Sequence, residues 1–289
     1  DAVQDRMFQH LNSGPTDLFF EEIKEMLRQI TEYYTYTDEL PLSEDPDNPP
    51  DPDIDLHVIR FLQLMCEGHF EKNQDIMREQ PNNATTVNLL EPFVALLSAT
   101  SKRPCRSSTK AANAISATIL EVIQGPCVEN QNMFALNTEL CEIQNRILRS
   151  TPKRDCIADE DDEVKKCILE ISEALVEGQV KPSVIFDRIL SVLDFQVLES
   201  IIKGEFDSGG DDDVGDDDDE LSEIVMEALV LLQMFTDYAR LPPTNVNDLK
   251  MLELIIEELP KDITSKMGDA IFSVEVVWTG VLQRRFFPQ

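Results

Sequence analysis

Apolar side chains recur at three- and four-residue spacing over most of this chain, the signature of helices that bury one face. The first clear run is TDLFFEEIKEMLRQITEYY, where Phe19, Ile23, Met26, Leu27 and Ile30 share a face behind Thr16 as N-cap. From Ile54, IDLHVIRFLQLMCEGH is apolar on nearly every side, as in a helix held between neighbours, and Gly68 supplies a left-handed stop. Further helices are expected over NLLEPFVALLSAT, KAANAISATILEVI, NMFALNTELCEIQNRILRS, DEVKKCILEISEALVEG and SVIFDRILSVLDFQVLESIIKG. In the DEVKK helix Val164, Ile168, Ile171 and Leu175 line one side, and Gly178 closes it. Two more, ELSEIVMEALVLLQMFTDYARLPP and VNDLKMLELIIEELP, are each halted by proline.

The C-terminal stretch changes period. Val274, Val276 and Trp278 alternate with Ser273, Glu275 and Val277, Thr279-Gly280 reads as a turn, and a second strand-like run follows. Two strands alone are marginal, so this hairpin is expected to dock on the helices or on sequence outside the chain. The fold class is therefore mainly α: an armadillo-like helical array with one C-terminal β-hairpin. No fixed sequence repeat is visible, so the array is inferred from helix order. The expected organisation is an N-terminal helical segment (1–38), a Pro/Asp-rich linker (39–53), a helical domain (54–243) with a disordered acidic loop (205–220), a helical connector (244–269) and the hairpin (270–289).

Charge narrows the partners. A formal charge of −31, from 56 acidic and 25 basic residues, disfavours nucleic acid and anionic membrane surfaces and suits cations and basic partners. Six cysteines, at 66, 105, 127, 141, 156 and 167, form no C-x-x-C pair and read as reduced, buried thiols of a cytosolic protein. The richest apolar run, IVMEALVLLQMF, is too short to span a bilayer and carries Glu227. The start at Asp-Ala-Val and the end after FFPQ suggest a fragment of something longer.

Most candidate chemistry has a bland explanation. The tract GEFDSGGDDDVGDDDDE invites a calcium reading, but placing Gly210 at the invariant glycine of an EF-hand puts Glu205 first, Gly209 fifth and Asp216 twelfth, without the bidentate glutamate. It reads as a solvated acidic loop, with weak, nonspecific cation binding as the alternative. The three histidines, His10, His57 and His69, sit in no catalytic motif, there is no G-x-S-x-G and no phosphate loop, and an enzyme is not expected. Asn83 opens a glycosylation sequon that a cytosolic chain would not use. Glu67 and Glu121 are less ordinary, because each lies in the last turn of a helix, facing the negative end of its dipole. Either they face solvent or a nearby Lys or Arg, or they share a hard-cation site built from distant segments.

Three stretches, IRFLQLMCEGH (Ile59 to His69), NNATTVNLL (Asn82 to Leu90) and IQGPCVENQN (Ile123 to Asn132), resemble in that order the homology-associated domain of inositol trisphosphate receptors and ryanodine receptors. The resemblance runs from Ile54 to Pro243. QGPCVENQN and the acidic tract without an EF-hand pair lie nearer the inositol trisphosphate receptor, whereas NNATTVN leans toward the ryanodine receptor. VEVVWTGVLQRRFFP looks like the short hairpin that precedes the first membrane helix of the inositol trisphosphate receptor.

The resemblance implies a regulatory segment of a homotetrameric calcium-release channel on the cytosolic face of the endoplasmic reticulum membrane. Its partners would be other domains of the same channel, including a post-pore segment, and it would meet the membrane only through downstream helices. The family's activating calcium site takes one glutamate from the FLQLxCE helix and one from the helix running into QGPC, which by motif match are Glu67 and Glu121. A third oxygen ligand lies outside this chain, so calcium binding by this fragment alone is expected to be weak. Gly68 stands where vertebrate receptors commonly have Asn, and Leu120-Glu121-Val122 stands for Thr-Glu-Tyr. The family also binds a nucleotide near the juxtamembrane region; Lys261 or Lys266 is a candidate there, and no motif assigns either. The reading from another class is a stand-alone acidic helical scaffold for protein–protein interaction; a soluble calcium buffer using the aspartate tract is a third.

Overall fold

A computed structural model describes residues 2–36, 56–151, 158–208, 221–261, 263, 271–278 and 281–288. The expected linker at 39–53, the turn Thr279-Gly280 and Lys266 lie outside the described residues, as does 209–220 of the expected disordered acidic loop 205–220, whose first four residues instead continue a helix that ends at Ser208. Thirteen α-helices and one antiparallel hairpin make up the described chain, so it is mainly α. It divides into two compact units, Asp1–Glu177 and Gly178–Gln289.

The first unit holds α1 (Ala2–Asn12), α2 (Asp17–Tyr36), α3 (His57–Cys66), α4 (Glu71–Arg78), α5 (Leu90–Lys102), α6 (Arg106–Ile123), α7 (Val128–Asn137), α8 (Leu140–Leu148) and α9 (Ala158–Val176). Helix α6 is its hub, packing against α3, α5 and α9 as well as α4 and α7. Small residues make that possible: Ala111, Ala112, Ser116 and Thr118 are all buried along α6, letting neighbouring backbones come close. Thr118 hydroxyl lies 3.3 Å from the Ile59 carbonyl of α3 and 2.9 Å from the Ala114 carbonyl of its own helix.

Helix α2 lays Phe20, Ile23, Leu27, Ile30 and Tyr34 onto the unit, chiefly against α5. The loop between α4 and α5 fastens the α1–α2 junction. Asn82 Nδ2 donates to the Asn12 carbonyl at 2.7 Å, the Thr16 N–H donates to Asn83 Oδ1 at 2.9 Å, and the Thr85 N–H donates to Asp17 Oδ1 at 3.1 Å. The Asn83 amide is therefore a structural clamp with a buried Nδ2.

Two expected helices are each broken in two. The run from Asn132 to Ser150 becomes α7 and α8 because Thr138 turns its hydroxyl on the backbone, donating to the Phe134 carbonyl at 2.6 Å and accepting from the Leu140 N–H at 3.2 Å. The run from Ser183 to Gly204 becomes α10 (Val184–Val192) and α11 (Gln196–Ser208), with Asp194 Oδ1 accepting from the Gln196 N–H at 3.1 Å at the break. Two helices had no counterpart in the apolar pattern. In α1 only Val3, Met7 and Leu11 make a stripe, and in α4 the buried face includes Asn73 and Gln74. Helix α3 is also less enclosed than its sequence suggested, since Leu64 is 43% exposed.

The second unit packs α12 (Glu223–Arg240) against α11, α13 (Val246–Glu258) and the hairpin. Its core is aromatic: the Phe186 and Tyr238 rings stack at 3.9 Å, and Phe235 closes on Phe186 at 5.0 Å and Phe195 at 5.3 Å. Lys181 Nζ reaches the carbonyls of Tyr238 and Leu241, at 2.9 and 2.6 Å, satisfying the end of α12. Strands β1 (Ile271–Trp278) and β2 (Val281–Pro288) pair from Ile271↔Pro288 to Trp278↔Val281, and the hairpin docks on α12 as expected. Phe272 and Phe287 stack across the strands at 5.3 Å.

Candidate functional site

Glu67 and Glu121 belong to the two helix ends that meet at the edge of the α6 hub. Glu67 is the C-cap residue of α3; Gly68 and His69 follow it, both left-handed at φ 73° and 61°. Glu121 lies in the last turn of α6, which ends at Ile123, has Gln124 as its C-cap and turns through Gly125 at φ 103°. A Cβ added to Gly125 would lie 2.6 Å from His69 Cβ and 3.0 Å from its Cγ. Only glycine permits that approach, so the break after α6 is also the seat on which the α3 turn rests.

Side-chain amides satisfy the carbonyls that these helix ends leave open. Gln4 Nε2 reaches the carbonyls of Leu64, Met65 and Glu67 at 3.2, 3.4 and 2.6 Å, and Asn73 Nδ2 donates to the Met65 carbonyl at 2.7 Å. At α6, Gln74 Nε2 donates to the carbonyls of Glu121 and Gln124 at 2.7 and 2.8 Å. Asn130 Nδ2 donates to the carbonyls of Val122 and Gln74 at 3.0 and 2.9 Å, while Arg78 holds its Oδ1. The Gly125 N–H donates to Glu177 Oε2 at 3.1 Å.

The carboxylates differ in setting. Glu67 is exposed, whereas Glu121 is half-buried and its Oε2 is shielded from solvent with no hydrogen-bond partner. Burial pushes the Glu121 carboxyl above its ordinary range, and the neighbouring Glu67 charge pushes it further; His69, the Gly68 backbone N–H and Arg60 pull the other way. A carboxylate electrostatically coupled to a second one and carrying an unpartnered buried oxygen is short of positive charge. The Glu67 charge is thus felt at Glu121, which puts the two sequence-predicted residues in one electrostatic neighbourhood.

Two carboxylates offer at most four oxygens, fewer than the six to eight calcium takes, and among the described residues no group of three His, Cys, Asp or Glu could hold a metal. The pair fits as part of a hard-cation site open to ligands from elsewhere. The buried thiols do not compete. Cys66, Cys105, Cys127, Cys141 and Cys167 are free and buried. Burial raises the Cys127 thiol to about 11 and pushes Cys66 and Cys167 higher still, which favours the protonated form of these three near neutral pH. Cys156 lies outside the described residues. His69 is exposed and packed on Gly125, and Lys261 is exposed after α13.

Sequence reasoning missed Gln4, Gln74, Asn73 and Asn130. A signal was present: Gly-x4-Asn-Gln occurs twice, as GHFEKNQ (Gly68 to Gln74) and GPCVENQ (Gly125 to Gln131), each straight after a helix. The array thus contains a sequence repeat that hydrophobic periodicity did not reveal.

Residues 51–148 match the model of a family described as RyR and IP3R Homology associated. The match takes in α3 through α8, both glycine turns and both glutamates, and it does not separate the two receptor branches. Among the described residues no helix is long and apolar enough to cross a membrane.

Proposed function

We propose that this chain is a cytosolic regulatory and coupling segment of an intracellular ligand-gated calcium-release channel, nearer the inositol trisphosphate receptor branch, and that Glu67 and Glu121 supply two carboxylates of its activating calcium site. The observation that carries the reading is the buried, unpartnered Oε2 of Glu121 beside the charge of Glu67, inside the segment that matches the receptor family. A divalent cation there offsets the burial cost on Glu121 and the repulsion between the two groups. The remaining oxygens come from a post-pore segment of the channel.

Calcium bound this way bridges two parts that move relative to each other. Whichever arrangement brings all ligands together binds calcium more tightly, and that difference in affinity shifts the closed-to-open balance. The chain would act at the cytosolic face of the endoplasmic reticulum membrane, within a homotetramer, and its hairpin would lead toward the pore helices. In the full-length channel, Glu67→Gln and Glu121→Gln each move calcium activation at least about tenfold to higher concentration, the loss expected when a charged ligand is removed. Single-channel recordings with unchanged activation midpoints for both variants would sink the assignment.

A further inference from the structure

The Gly-x4-Asn-Gln repeat is also a repeat of hydrogen bonds. Gly68, Gly125 and Gly178 are all left-handed, at φ 73°, 103° and 77°, and each follows the end of a helix, α3, α6 or α9. Aligning the three turns on these glycines makes Leu64, Glu121 and Ala174 equivalent, and likewise Glu67, Gln124 and Glu177.

The amides follow this register. Asn73 reaches back to Met65 of α3, and Asn130 to the equivalent Val122 of α6, at 2.7 and 3.0 Å. The glutamines reach forward instead. Gln4 bonds the carbonyls of Leu64 and Glu67; Gln74 bonds those of Glu121 and Gln124; Gln131 bonds those of Ala174 and Glu177, at 2.7 and 3.0 Å. Each glutamine therefore grips the same two carbonyls ahead of a left-handed turn, at the end of α3, α6 or α9. Gln74 and Gln131 are fully buried, whereas Gln4 is half-buried and its bonds to Leu64 and Glu67 are exposed, so competing water is kept out best at the second and third clamps.

We propose that Gln4, Gln74 and Gln131 form a relay of helix-end clamps, one for each of the three left-handed turns, and that Gln4 and Gln74 are the positioning residues that hold the Glu67 and Glu121 segments in register. The second half rests on the calcium reading above; the first does not. Gln131 is a natural control, because the helix end it grips carries neither candidate ligand.

The test replaces each glutamine by methionine, which keeps length and flexibility and removes the donor. Hydrogen exchange on this chain reads the relay. Gln74→Met should speed exchange about tenfold at Gln124 and Cys127, Gln4→Met at Glu67 and Phe70, and Gln131→Met at Glu177, each leaving the other helix ends protected. Exchange that rises uniformly, or nowhere, overturns the relay. Calcium activation of the full-length channel reads the positioning role. Gln4→Met and Gln74→Met should raise the half-activating concentration about tenfold with the maximum preserved, as loss of an outer-shell partner does, while Gln131→Met leaves it in place. Equal shifts from all three, or none from Gln4 and Gln74 while Glu67→Gln and Glu121→Gln shift it, overturn the positioning role. If the glutamate variants also leave the midpoint unchanged, the calcium reading fails with the positioning role, and the exchange pattern alone decides the relay. Should buried Gln74 not tolerate methionine, half-buried Gln4 decides both arms.

Discussion

The turn after α3 and the turn after α6 have the same design and opposite demands. Each ends a helix in a left-handed glycine and then starts another whose Asn-Gln pair is buried. After α3 the turn is open: a Cβ on Gly68 would meet nothing within 4 Å, and Glu67 and His69 are exposed. After α6 it is closed, with Gly125 pressed against His69 and Asn130 holding two carbonyls. The repeat supplies the scaffold, and the departures from it supply the chemistry. Glu121 takes a position that is leucine in one copy and alanine in the other, which is why its burial has no ready compensation.

Glycine replacement separates the turns most sharply. Gly125→Ala combines left-handed strain with a Cβ overlap on His69 and should cost about 3 kcal/mol in urea unfolding. Gly68→Ala carries only the left-handed penalty, about 1 kcal/mol. Adding His69→Gly to Gly125→Ala removes the overlapping Cβ and should restore part of the loss; no restoration would mean the turns do not touch as described.

The asparagines come next. Asn130→Ala removes two buried hydrogen bonds and the partner of Arg78, an expected loss of about 2–3 kcal/mol. Asn73 makes one such bond and its Oδ1 is already unpartnered, so Asn73→Ala should cost about 1 kcal/mol. Equal costs would contradict the closed-versus-open distinction.

The carboxylates should show the smallest effects on stability. The fold raises the Glu121 carboxyl above its ordinary value of 4.5, so the native chain binds that proton more tightly than the unfolded chain does. Stability is then fully preserved below 4.5, falls as pH climbs through the raised folded value, and stays reduced above it. Glu121→Gln should therefore be more stable than the parent at neutral pH and lose that acidic-range slope in denaturant titrations. Exposed Glu67→Gln should change stability by under about 0.5 kcal/mol. It should also bring the Glu121 carboxyl back toward its ordinary range, by removing a like charge.

The sequence made the helices legible wherever an apolar stripe was wide, as in α2, α6, α9 and α12. It hid α4, whose buried face includes two amides, and the breaks at Thr138 and Asp194, where a single side-chain oxygen redirects the backbone. The two glutamates were legible as helix-end acids within specific motifs. The approach of the two helix ends that carry them was not, because it depends on the missing Cβ of Gly125 and on glutamines whose partners are backbone carbonyls, which have no identity in a sequence.

The asparagine and threonine clamp from the α4–α5 loop onto the first two helices bears on where this protein begins as a folding unit. Family similarity starts at residue 51, yet Phe20, Leu27 and Tyr34 complete the wall over α5, and Gln4 closes the end of α3. A chain trimmed to the recognisable stretch would keep every diagnostic motif and surrender a greasy flank to solvent, self-associating in preference to reporting on its glutamates. The edge of the family match and the edge of the buried core fall on opposite sides of α2.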